Sequence, residues 1–231
     1  MSETHIVGYK ISPAVFNASF GANSDSVFHR VLKKQADLLE GSRRRFSYQP
    51  EHEKFIEVEE ALKALIAGKV TDDILYECAC MIEPVLEEMA ERLSDTTEER
   101  SLWFNMFFWI DEFEPILETL GLNTLKTQWL NFSFQLPGQG ETPDWSKVGW
   151  PVAALLKESA LTQCVKEFDE LDLKTALQQV PDKLIRSGKS DELYTMQLRE
   201  IMRDNLHCLL SWVASCQADN AYLVIIFDGD T

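Results

Sequence analysis

Ala221–Phe227 reads AYLVIIF and is closed by Asp228-Gly229-Asp230. Successive side chains of a strand point to opposite faces, so a run that is apolar at both parities describes a strand covered on both sides. Such a strand needs a neighbour. His5–Ile11 alternates β-branched and aromatic residues before Ser12-Pro13, and with few other strands in view it is the expected partner.

Between these two strands the pattern is helical. Ser24 or Asp25 caps a helix with Phe28, Val31, Leu32 and Leu39 inside, ending near Gly41. A second helix covers about Lys54 to Ala67, with Val58, Leu62, Leu65 and Ile66 on one face and Gly68 as its stop. Thr71 opens a long segment with Ile74, Leu75, Cys78, Ile82, Val85, Leu86, Met89 and Leu93 at helical spacing. Pro84 predicts a kink or break near Cys80. Helices over Glu98 to Ile110 and Glu112 to Leu120 follow, then a turn-rich stretch from Leu136 to Trp150, a short helix after Pro151 and an amphipathic region to about Gln179. A loop from Pro181 to Lys189 leads to a last helix capped by Ser190, with Leu193, Tyr194, Leu198, Ile201, Met202, Leu209 and Val213 inside. No linker or repeat divides the chain, so the expectation is one α+β domain over residues 1–231, predominantly helical, its terminal strands paired in a small sheet.

A chain of 26.5 kDa that is 45% hydrophobic and 26% charged can bury a large core and is not a disordered one. The amino terminus has no leader pattern, and the longest apolar stretches fall short of the roughly 20 residues a bilayer span needs. Five cysteines at irregular spacing suit a reducing compartment, and the expected location is the cytoplasm.

Motifs for chemistry are missing where they would be looked for. Cys78 and Cys80, two apart on a helix, point about 160° from one another and cannot chelate one ion as a pair. His207-Cys208 has no second ligand pair, Gly138-Gln139-Gly140 lacks the lysine and helix of a phosphate loop, and no nucleophile elbow is present. The reading is therefore no catalytic residue, no metal and no cofactor.

The charge is informative. Asp and Glu number 38 against 22 Lys and Arg, a formal net charge of −16. A field of that sign favours basic partners and opposes nucleic acid and anionic membranes. Arg43-Arg44-Arg45 is too short a run to reverse this. The acids gather in three stretches: Glu51, Glu53, Glu57, Glu59 and Glu60; then Glu83, Glu87, Glu88 and Glu91; then Asp111, Glu112, Glu114 and Glu118. Like charges four apart destabilise a helix by a few tenths of a kcal/mol per pair, so they are either solvated or used. Trp109, beside the third stretch, suits an aromatic anchor at the rim of an interface. The expected partner-binding surface is Glu83, Glu87, Glu88, Glu91, Trp109, Asp111, Glu112 and Glu114.

Four short segments, the opening strand Val7–Ile11, the run FGANSD at Phe20–Asp25, the turn Val148-Gly149-Trp150 and the closing strand Leu223–Phe227, occur in an order that resembles the YfbM-like group of uncharacterised bacterial domains. The resemblance implies a single α+β unit without established catalytic residues, with relatives among immunity-like proteins of bacterial toxin systems. Charge and resemblance together give the leading expectation: a non-catalytic immunity-type protein that occludes the basic surface of a cognate toxin or another basic protein. The alternatives are an enzyme or small-ligand protein with a pocket under the 136–150 loop, and a regulatory adaptor that binds a protein through the same acidic face.

Overall fold

The computed structural model describes residues 4–47, 56–93, 102–104, 110–130, 134–139, 143–148, 152–185 and 192–229. The chain enters through strand β1 (Thr4–Ile11), followed by helices α1 (Pro13–Ser19), α2 (Asp25–Lys34), α3 (Ala36–Ser47), α4 (Val58–Ile66) and α5 (Leu75–Met89). Strands β2 (Glu91–Leu93) and β3 (Leu102–Phe104) precede α6 (Ile110–Thr119) and α7 (Asn123–Leu130). Then come β4 (Val152–Leu156), α8 (Glu158–Asp169), α9 (Leu173–Gln179), α10 (Asp182–Ile185), α11 (Glu192–Ala218) and β5 (Tyr222–Gly229). The fold is α+β and mainly helical.

The two terminal strands pair as their sequences require. β1 and β5 run antiparallel with Val7 opposite Ile226 and Tyr9 opposite Val224. β4 extends the sheet on the far side of β5, and β2 and β3 both line the other edge of β1. The sheet separates two cores. Val7, Tyr9, Ala153, Leu155, Val224 and Ile226 face a core built with α1 to α5. Ile6, Ala154, Leu156, Leu223 and Ile225 face another built with α6 to α9 and α11. Layers of helix on both faces are why the closing strand carries apolar residues at both parities.

Two glycines hold this arrangement. Gly68 ends α4 with φ +63°, a left-handed conformation that L side chains resist, and its amide donates back to Leu65. Gly8 lies under the indole of Trp212, where an added Cβ would stand 2.5 Å from the ring. That vacancy lets α11 pack directly on the middle of the sheet.

Several expected boundaries differ. The helix expected to run to Gly41 is divided at Gln35, which leaves helical backbone geometry while its carbonyl accepts a hydrogen bond from the Leu39 amide in the first turn of α3; Gly41 lies inside α3. α5 continues through Pro84 without a break, but it stops at Met89, and Glu91–Leu93 is a strand rather than more helix. Leu102–Phe104 and Val152–Leu156, both expected as helix, are strands paired to β1 and β5. A short helix, α10, occupies part of the expected loop from Pro181. Ile201, expected inside, is exposed on α11.

Candidate functional site

The second acidic stretch is divided by its surroundings. Glu83 and Glu87, four apart on α5, both face the sheet, where the fully buried Tyr9 lies below them. The Tyr9 hydroxyl donates to Glu87 Oε1 at 2.7 Å, with Glu83 Oε1 at 3.2 Å, and Arg92 donates to the same Glu87 oxygen at 2.9 Å. Burial, reinforced by the two carboxylates, pushes the Tyr9 phenol well above its ordinary value.

Glu88 turns the other way, towards α2. Its side chain is 5% exposed, and one oxygen accepts from Arg30 at 2.6 Å and Lys34 at 3.1 Å. Burial pulls this carboxyl upward, but the hydrogen bonds from Arg30 and Lys34 outweigh it and leave Glu88 below the usual glutamate range. Glu91 has left the helix. It sits on β2 opposite Lys10, whose ammonium bridges it at 2.8 Å to Asp219 at 3.0 Å on the carboxyl side of α11. These four carboxylates therefore fasten α5, α2, β1 and α11 together.

Among the described residues the third stretch has fewer counter-charges. Ile116 and Leu117 of α6 and Leu120 just past its end are buried, whereas Glu114 and Glu118 are exposed and share Lys126 of α7 at 3.5 and 3.4 Å. Asp111 and Glu112 belong to the first turn of the same helix. Trp109 lies outside the described residues. Of the first stretch, Glu51 and Glu53 also lie outside them, Glu59 pairs with Arg43, and Glu57 and Glu60 are exposed at the start of α4.

Among the described residues, no group of three or more His, Cys, Asp and Glu side chains could hold a metal ion. Cys78 and Cys80 are buried in α5, and Cys78 reaches the Ala61 carbonyl at 3.6 Å. Burial raises the thiols of Cys164 and Cys216 to about 12, so neither is a ready nucleophile. Arg43 and Arg44 are engaged by Glu40, and Arg43 by Glu59 as well. In the turn-rich stretch, Trp145 is buried and its indole donates to the Phe134 carbonyl at 2.7 Å, so this part of the stretch is pinned to the first core. Lys147 bridges it to Asp72 at 2.8 Å. No helix among the described residues is long and apolar enough to cross a membrane.

Tyr9, Lys10, Arg30, Lys34 and Arg92, which hold these acids, are functional partners that the sequence pattern does not single out. All but Arg92 lie more than 50 positions from the acids they meet, and periodicity within one helix carries no signal for that.

Together the layers and surfaces define an α+β domain with helices on both faces of an antiparallel sheet. The chain belongs to the family described as "Domain of unknown function (DUF7691)", which matches residues 2–228. No curated protein and no solved structure matches it.

Proposed function

We propose that this domain is a non-catalytic, immunity-type binding protein that recognises a basic surface of a cognate protein toxin, using the outer face of α6 as its principal acidic ridge. One observation carries the reading: in a chain of net charge −16, Glu114 and Glu118 stand exposed around a single lysine among the described residues. The carboxylates expected to share this role are engaged, Glu83, Glu87 and Glu88 of α5 by Tyr9, Arg30, Lys34 and Arg92 and Glu91 of β2 by Lys10, which favours a structural part for them. A ridge with so few counter-ions keeps its field for a partner, and such a field acts mainly on association rate.

The test separates the two stretches. The purified protein is mixed with the product of the neighbouring reading frame, and association is followed by stopped-flow over a range of salt. Reversing Asp111, Glu112, Glu114 and Glu118 to lysine slows association by about tenfold or more at low salt, flattens its salt dependence and preserves the melting transition. Reversing Glu83, Glu87 and Glu88 instead lowers the melting temperature. Absence of any complex, or α6 reversals without effect on association, refutes the proposal.

A further inference from the structure

Two adjoining cavities open beside the first turns of α8. The larger, about 540 Å³, lies between α8 and a wall made by Pro13, Asn220 and Tyr222. The smaller, about 290 Å³, lies between α8 and α7 and is lined on that side by Thr124 and Gln128, with Gln135 above. Lys157, Ser159 and Gln163 line both, so the two share one partition. Their sizes fall within or near the range of about 300–1,000 Å³ typical of small-molecule pockets.

The lining is unusual for this chain. Side-chain amides come from Gln128, Gln135, Gln163 and Asn220, and hydroxyls from Ser159, Thr162 and Tyr222, the Thr124 hydroxyl being donated to Glu167 at 2.7 Å. Amides and hydroxyls both donate and accept, which suits a ligand dense in hydroxyl groups. The charges lining the cavities are Lys157 and Lys166 against Glu158, and the Glu167 carboxylate sits behind Thr124, so the local balance is near neutral inside a chain of −16. Lys10, Lys34, Lys126 and Lys147 all rest on carboxylates. Lys157 meets no carboxylate among the described residues: its ammonium donates to the neutral Gln135 amide at 3.2 Å, where the cavities meet.

We infer that these cavities form a binding site for a small polyhydroxylated anion, of the sugar-acid or sugar-phosphate class. Lys157 holds the acidic group, the amides and hydroxyls of α7 and α8 take the hydroxyls, and Lys166 adds its field at the far end of the larger cavity. The site uses none of the α6 carboxylates, so it stands or falls independently of the toxin-binding reading.

The test is a titration of isotope-labelled full-length protein, followed by amide chemical shifts, with gluconate and ribose phosphate as probes and glucose and inorganic phosphate as comparisons. Saturable shifts are expected at residues 124–128, 157–166 and 220–222 with both probes, with glucose and phosphate binding at least about tenfold more weakly. Lys157→Met should weaken the probes about tenfold and leave the weak glucose response unchanged. The side chain of Lys157 makes no capping hydrogen bond to α8, so an unaltered melt will show the variant to be folded. Four results would overturn the inference: no saturable shifts, shifts confined to other surfaces, glucose or phosphate binding as tightly as the probes, or a Lys157→Met variant that binds them like the wild type.

Discussion

Ile225 and Ile226 are consecutive in sequence, yet one belongs to the core under α11 and the other to the core under α5, each with 1% or less of its surface exposed. Replacing either by alanine removes most of a buried side chain and leaves a cavity that the packed layer fills only in part. The cost is about 2–5 kcal/mol for each. The cavities open on opposite faces of the sheet, so the double variant should lose nearly the sum, about 4–10 kcal/mol. Set against a total of about 5–15 kcal/mol for a domain, that leaves the double variant marginal or unfolded. Urea denaturation followed by far-ultraviolet circular dichroism measures each loss. In thermal melts each kcal/mol should shift Tm by about 2–4 °C in a chain of this size. A strand with one solvated face would respond to only one substitution. If either variant stays within about 0.5 kcal/mol of the wild type, as an exposed position would, the two-faced burial of β5 is wrong.

Three further outcomes follow from the buried polar contacts and the close approach at Gly8. Glu88→Gln should cost about 1–2 kcal/mol near neutral pH, since Arg30 and Lys34 remain partly solvated. Because the folded carboxyl titrates below its unfolded value, its contribution is present above the unfolded pKa of about 4.3 and is lost as pH falls through the folded one. The variant and wild-type stability curves must therefore converge in acid, and a gap that persists there would be evidence against the charged pairing. Tyr9→Phe should cost about 1–3 kcal/mol at neutral pH by leaving its buried donor position empty beside two carboxylates. The raised phenol gives stability that is lost as pH rises above about 10, and the phenylalanine variant should show a shallower alkaline decline; parallel curves would refute the assignment. Gly8→Ala should cost about 1–3 kcal/mol by driving a methyl into the Trp212 ring, with partial recovery on adding Trp212→Leu, and an unchanged urea midpoint would show that the indole is not fixed there.

The parts of the fold legible in sequence are those whose cause is local. Ser24 caps α2 through the Val27 amide, Gly68 and Gly121 end their helices with positive φ, and the double parity of β5 states how it is buried. The misread parts have causes elsewhere in the chain. Val152–Leu156 is VAALL, and alanine and leucine are strong helix formers. It is a strand because β5 offers a free ladder edge and both cores need apolar residues at its two parities. Glu91–Leu93 leaves the helical register for the same reason, with the ladder of β1 drawing it out of α5.

The acidic stretches show the same division between local and distant causes. A spacing of four predicts that Glu83 and Glu87 share a face, and they do; it is silent on what that face meets, which is the hydroxyl of Tyr9 about 80 positions earlier. Glu88 is one step further round the helix, so it meets α2 instead, and Glu91 is beyond the last turn altogether. A charge stripe becomes a partner surface only where the fold does not supply its counter-ions. That criterion separates the two stretches: the carboxylates of α5 are offset by Arg30, Lys34 and Arg92 and Glu91 of β2 by Lys10, whereas among the described residues the exposed pair on α6 meets Lys126. The negative field available to a basic partner is thus expected to centre on α6, and reversal of its carboxylates should be felt in association kinetics before it is felt in stability.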